Sequence, residues 1–262
     1  MAIWDHDEVV DLDLRPERLE IVTVAIVGEL RAAIPASDCQ LRCSLAAGAA
    51  DQYSDIDLLW TVPEGNLCLA VEVAPTALAR VAPVASVRLD PEFLHSATGR
   101  LLFARFERLP LFWRVDLEIR SLATRTDLAA AYVPTRAEEP HWSLGASAAA
   151  NAVAAIKAVL RGQLDVAAGL LERGFTRIDG TLDAGESWSE AITRLARSAA
   201  IVDPSVVGFA TEITELAQAL LPTKDRLGGR DSSSSWDIKP SPAAAPVKVG
   251  RYARDVEEQP AG

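Results

Sequence analysis

Two carboxylates two residues apart, Asp55 and Asp57, sit in the run Ser54-Asp55-Ile56-Asp57-Leu58. Side chains alternate along a β-strand, so this spacing puts both acids on one face. Upstream lies a turn of small residues that carries a hydroxyl at Ser44 and a glycine at Gly48. A strand, such a turn and an acidic strand would bring backbone N–H groups and Ser44 beside the acidic pair. That combination suits a metal-bound triphosphate. Mg²⁺ takes hard oxygen ligands, often one or two carboxylates plus substrate phosphates, and a third carboxylate on a neighbouring strand completes a two-metal arrangement. Asp116 is the natural third member. It stands in Arg114-Val-Asp-Leu-Glu-Ile-Arg120, where charged and apolar residues alternate cleanly. Each feature also has a plainer reading: Ser54 can simply cap the start of a strand, and the charged face of residues 114–120 can be a solvated wall of ion pairs, with Glu118 paired to Arg114 or Arg120.

The elements that would position these residues follow from pattern and punctuation. Pro16 opens and Pro35 closes an apolar run long enough for a helix, with Gly28 inside it. Residues 39–45 and 55–62 read as two strands around the turn containing Gly48. Residues 63–80 read as a helix interrupted near Pro75, and 84–89 as a third strand. Residues 101–107 and 112–120 form a strand pair with a short connection. From Ser143 the chain turns to Ala and Leu at helical spacing, giving helices over 143–160, 164–173, 187–200 and 204–221. The fold class is therefore α+β: a mixed sheet with flanking helices over residues 1–140, then an α-helical bundle over 141–222. The Ser-, Pro- and Ala-rich stretch 223–262 is too poor in apolar surface to offset its ordering entropy and is expected to be disordered.

Composition narrows the function. The 262 residues carry 26 Lys and Arg against 37 Asp and Glu, a net charge of −11. Such an excess repels phosphate backbones at long range, so nucleic acid is an unfavourable partner, while a cationic small molecule or an Mg²⁺-neutralised nucleotide is admissible. No run of 18 apolar residues suggests a membrane span, and a cytoplasmic enzyme or binding protein is the expectation. Cys39, Cys43 and Cys68 form no CxxC pair and read as buried free thiols. His6, His95 and His141 are too scattered for a histidine-based triad.

Ser44, Ala46, Gly48 and the block Ser54-Asp55-Ile56-Asp57-Leu58 match in register the signature of the DNA polymerase beta-like nucleotidyltransferase superfamily, which the chain resembles. That signature is a Gly-Ser-x-Ala-Arg-Gly turn, a five-residue spacer and Ser-Asp-Ile-Asp-Leu. Its first Gly is Cys43 here, and its Arg is Ala47. The order of elements also resembles the bacterial antibiotic nucleotidyltransferases, aminoglycoside enzymes included, over residues 16–221. The resemblance implies that Ser44 contacts the β- and γ-phosphates, with Gly48 and Ser54 in the same nucleotide-binding segment. It further implies that Asp55 and Asp57 hold two Mg²⁺ ions, and that Asp116 completes the catalytic metal site and helps activate an acceptor hydroxyl. Lys157 would reach the triphosphate in place of the missing Arg, or else be a solvent-facing helical lysine. Tyr53 could stack on the base. Trp60 and Trp113 read as sheet packing, and Trp142 with His141 as packing or as a wall of the acceptor cleft.

The expected reaction is transfer of a nucleoside monophosphate, AMP from ATP in the first instance, to a hydroxyl of a small acceptor. An aminoglycoside-like cation is compatible with the acidic chain, which would act as a monomer or homodimer. AMP transfer to a protein, as in some toxin–antitoxin systems, and an inactive nucleotide-binding relic are the alternatives.

Overall fold

The computed structural model describes residues 13–122 and 143–221. The expected domain boundary at 140/141, the tail 223–262, His6, His141 and Trp142 lie outside the described residues.

Helix α1 (Pro16–Ala33) begins on a proline, whose missing N–H costs nothing in the first turn. It buries Leu19, Val22, Thr23, Ile26 and Leu30 at helical spacing. Gly28 sits inside without breaking it. The chain then turns extended at Ile34 and enters β1 (Asp38–Leu41). The strand expected over 39–45 stops early, because Cys43 adopts a left-handed φ of 49° and opens a single helical turn, α2 (Cys43–Ala46). A residue in that region cannot continue a pleated ladder.

Strand β2 (Ile56–Val62) follows, then α3 (Leu67–Ala79). The latter runs through Pro75 where an interruption was expected, with Ala70, Ala74, Ala77 and Leu78 buried along one side of it. Packing of that face outweighs the lost backbone bond. Strands β3 (Val84–Leu89), β4 (Gly99–Phe106) and β5 (Val115–Ser121) complete a five-stranded sheet of order β1-β2-β5-β4-β3. Strands β2 and β5 run parallel; the other neighbours are antiparallel, so the sheet is mixed.

The strict alternation read from sequence in β2 and β5 divides the sheet into two faces. Ile56, Leu58, Trp60 and Val62 from β2 and Val115, Leu117 and Ile119 from β5 are all buried. Helices α1 and α3 pack on each other and against the sheet. Trp60 and Trp113 are fully buried, as the packing reading expects. The opposite face carries Asp57, Asp116, Phe103 and Arg88 in one continuous row across β2, β5, β4 and β3.

The helical half consists of α4 (Leu144–Leu160), α5 (Leu164–Thr176), α6 (Trp188–Val202) and α7 (Val207–Leu220), with α4 packed against the other three. Ser143 caps α4, and Ser187 with Glu190 forms a capping box on α6. Gly145 is required by close approach: a Cβ there would lie 2.6 Å from the Ala199 carbonyl and from Asp203. Among the described residues no helix is long and apolar enough to cross a membrane. Of the three free thiols only Cys39 is buried; Cys43 and Cys68 are exposed, because the turn of α2 and the first turn of α3 lie at the surface.

Candidate active site

The site is built by the register of two parallel strands. Asp57 on β2 is the direct partner of Asp116 on β5, so their side chains leave the same face from adjacent backbones. Asp55 precedes the first residue of β2 instead of lying within it. The Ile56 N–H donates to the Arg114 carbonyl at 2.8 Å, which ties the start of this segment to the residue before β5.

Each carboxylate has a distinct environment. Asp55 accepts from Lys157 Nζ at 2.6 Å. Asp116 accepts two bonds from Arg114, Nε to Oδ1 and Nη2 to Oδ2, both at 2.6 Å. Asp57 faces the Cys43 thiol. Burial, followed by repulsion from Asp116 and Asp55, pushes the Asp57 carboxyl up to about 6. Burial also raises Asp116, with Asp55 adding to the effect against the pull of Arg114. Burial alone would lower Arg114, but Asp116, Asp55 and Asp57 outweigh it and hold the guanidinium charged. The three acids are thus within electrostatic reach of one another. Two cations neutralise two of them, and Asp57 is left under like-charge pressure.

Among the described residues no group of three or more His, Cys, Asp or Glu side chains is arranged to hold a metal ion. The physical reason is visible in the pairs: Asp55 is turned to Lys157 and Asp116 to Arg114. In kind, the donor set fits Mg²⁺, since it offers desolvated carboxylate oxygens at a point where added positive charge is favourable.

The other residues singled out from sequence divide. Lys157 is buried, its side chain 7% exposed, and bonds the Phe112 carbonyl as well as Asp55. The solvent-facing alternative is therefore incorrect. Burial lowers its pKa, with Asp55 opposing. Its helix presents Ala146, Ala150, Val153, Ala154 and Lys157 to the cleft, a helical stripe ending in a cation. Ser44 is the second residue of α2, half-buried and next to Cys43. Gly48 has a φ of 63° with open space around its Cβ position, so the turn conformation is what calls for glycine. Ser54 is buried and occupied locally: its hydroxyl donates to Asp51 Oδ1 at 2.9 Å and accepts the Asp51 N–H at 3.0 Å. Tyr53 packs edge-on against Phe112 with ring centroids 5.2 Å apart. Glu118 is paired with Arg120, which is the ion-pair reading.

A cavity of about 260 Å³ opens from Asp55, Arg114 and Lys157 between the sheet and the helical half. Arg88 and Arg105, which sequence reasoning did not connect with the site, line it. Outside the cavity lining, Arg161 ties α4 to the loop before β2, donating to Asp51 at 2.7 and 2.5 Å.

No protein-family model matches the sequence, and no curated protein matches it. Three solved structures resemble parts of the chain at low similarity. A GLD-2/RNP-8 complex has a TM-score of 0.31 and 16% identity over 40% of this chain and 38% of that one. A GLD-2–GLD-3 poly(A) polymerase complex has a TM-score of 0.31 and 14% identity over 66% of this chain and 49% of the other. An aminoglycoside 6-adenyltransferase from Bacillus subtilis has a TM-score of 0.23 and 9% identity over 63% of this chain and 88% of its own. The matches thus span less than half the length of both GLD-2 chains.

Proposed function

We propose that the chain is an Mg²⁺-dependent nucleotidyltransferase that moves a nucleoside monophosphate, AMP from ATP, to a hydroxyl of a small acceptor and releases pyrophosphate. The observation that carries this reading is the pairing of Asp57 with Asp116 across parallel strands, with Asp55 beside them at the mouth of a cavity. Burial and the neighbouring charges of Asp116 and Asp55 push Asp57 up, and burial with Asp55 raises Asp116, a cost to the fold that a bound cation would offset. The match of residues 44–58 to the superfamily signature adds the nucleotide.

Asp55, Asp57 and Asp116 would hold the ions. Bound Mg²⁺ supplies neutralisation of the triphosphate and of charge developing at the α-phosphorus. The acceptor oxygen forms a bond to the α-phosphorus as the bridging bond between the α- and β-phosphates breaks, and the pair of electrons leaves with pyrophosphate. Asp116 accepts the hydroxyl proton. Ser44 donates to the phosphates, and Gly48 keeps the turn open beneath them. Lys157 is the natural replacement for the signature arginine that is Ala47 here, since metal at Asp55 would free its ammonium for the triphosphate. The buried Ser54 holds Asp51, and with it the loop that delivers Asp55.

The test is pyrophosphate release from each of the four NTPs with Mg²⁺, with and without pooled hydroxylated acceptors, using Asp57→Asn as the blank. Release that requires wild-type Asp57 and Mg²⁺ supports the proposal. Absence of both release and Mg²⁺-dependent NTP binding overturns it.

A further inference from the structure

The row of residues that crosses the open face of the sheet changes character along its length. Asp57 and Asp116 occupy its β2 and β5 positions, Phe103 the next on β4, and Arg88 the last on β3. Arg105 lies on the same face as Phe103, two residues along β4, and pairs in register with Ser86. The cleft is therefore acidic at one end, aromatic in the middle and basic at the other, although the whole chain carries a net charge of −11. Arg88 and Arg105 both line the 260 Å³ cavity, and Arg88 also lines an adjoining one of about 510 Å³ that reaches Asn151 and Arg177.

Two further observations point to a ligand at the basic end. The Nε of Arg105 and the Nδ2 of Asn151 are buried donors without an acceptor, and each such atom is unfavourable until it gains one. Arg105 is otherwise well fixed, since it bonds both Glu212 oxygens at 3.1 and 3.0 Å and lies 4.3 Å over the Phe209 ring. Burial, followed by repulsion from Arg114 and Arg105 against the pull of Asp116 and Asp203, pushes Arg88 down to about 10. Of the acids in the 260 Å³ cavity both are already engaged, while Asp90, which accepts the Glu92 N–H, and Glu92 line the adjoining one. Asp203 accepts from the Ser143 hydroxyl and from both the hydroxyl and the N–H of Ser205, and Asp55 is bound to Lys157.

We infer that the acceptor is a compact anion, bearing a phosphate or carboxylate group that sits on Arg88 and Arg105 while its reactive hydroxyl points back to Asp116. This deepens the nucleotidyltransferase reading and rests on it. Neighbouring strands lie about 4.8 Å apart, so hydroxyl and anionic group are separated by two strands at the backbone, on the order of 5–10 Å at the side-chain tips. Phe103, with the Arg114 guanidinium 5.2 Å from its ring centroid, lies between them. The anion is the acceptor's and not the triphosphate's, because the signature turn adjoins β2, on the far side of Asp116 from the arginines. A volume of about 260 Å³ suits a small acceptor. The group transfer itself is unchanged: the acceptor oxygen bonds the α-phosphorus, pyrophosphate leaves, and the proton goes to Asp116.

Binding of inorganic phosphate to the full chain, measured by titration calorimetry without Mg²⁺, tests the anion site apart from catalysis. The expected result is millimolar binding that weakens at least tenfold in R88Q and in R105Q, is partly retained in R88K, and persists with a non-hydrolysable ATP analogue present. No phosphate binding to the wild type, binding unchanged in both glutamine variants, or displacement by the analogue overturns the inference. The second arm compares acceptor pools by pyrophosphate release. Stimulation by hydroxy acids or sugar phosphates, and not by aminoglycosides or neutral sugars, supports it; the reverse pattern overturns it while leaving the nucleotidyltransferase reading intact. Failure of all NTP turnover would instead count against that reading, with phosphate binding still deciding the anion site.

Discussion

Replacing Asp57 by Asn should make the metal-free protein more stable while abolishing its activity. In the folded chain the Asp57 carboxyl is pushed from 3.8 up to about 6 by burial and by Asp116 and Asp55. A difference of about 2 units, at about 1.4 kcal/mol each, makes ionised Asp57 unfavourable by about 3 kcal/mol above pH 6. Its partial exposure and local relaxation reduce the observable effect to ~1–3 kcal/mol. The sign follows from proton binding. Between roughly pH 4 and pH 6 the native state holds a proton that the unfolded chain releases, so wild-type stability declines as pH rises through that window. Asn is nearly isosteric, can still accept from the Cys43 thiol, and carries no charge. Urea unfolding at pH 7.5 in EDTA should therefore show Asp57→Asn more stable than wild type, and the gap should close towards pH 4. Adding Mg²⁺ should stabilise the wild type and leave the variant unchanged. A variant no more stable than wild type at pH 7.5, or a gap that persists at pH 4, would refute the reasoning that the three carboxylates repel one another.

Lys157→Met should destabilise the fold by about 1–3 kcal/mol in urea titrations, since it leaves the Phe112 carbonyl and Asp55 without their donor; a neutral result would mean that the ion pair adds nothing. Gly28→Ala should stabilise by about 0.5–1 kcal/mol, because the position is mid-helix with nothing within 4 Å. Gly145→Ala should destabilise by ~1–3 kcal/mol, because its Cβ meets backbone; equal effects at the two glycines would contradict the packing of α4 on α6. Cys43→Gly should relieve about 1 kcal/mol of left-handed strain and lower the KM for NTP, read by unfolding and by pyrophosphate release. A loss of stability there would show that the thiol contact to Asp57 outweighs the strain.

The sequence exposes the parts of this site that depend on local alternation. The buried and open faces of β2 and β5 follow from Ile56, Leu58 and Trp60 against Asp57, Leu59 and Thr61, and from Val115, Leu117 and Ile119 against Asp116, Glu118 and Arg120. That Asp57 lies opposite Asp116 is not legible in the same way, because parallel neighbours are joined by a long crossover and their register is decided by packing. The early end of β1 hinges on one backbone angle at Cys43, which an alternating pattern conceals. The signature itself offers a clue, since glycine is its usual residue there. Arg88 and Arg105 share a cleft only because β3 and β4 pair in register, which neither strand's own pattern fixes. Their signal was available: each occupies an alternate position facing away from buried Leu102, Ala104 and Phe106. Lys157 looked solvent-facing as an isolated cation, yet the small residues at 146, 150, 153 and 154 place it on a stripe that covers the sheet.

The central claim is transfer of the α-phosphoryl nucleoside moiety from a metal-bound NTP at Asp55, Asp57 and Asp116. It is tested most directly by following label from α-³²P and γ-³²P ATP in parallel, with Mg²⁺ or EDTA, in wild type and Asp116→Asn. The account predicts that α-label moves to the acceptor while γ-label leaves as pyrophosphate, only with Mg²⁺ and only in the wild type. Transfer of γ-label to the acceptor, or α-label transfer that survives EDTA or the loss of Asp116, would contradict it.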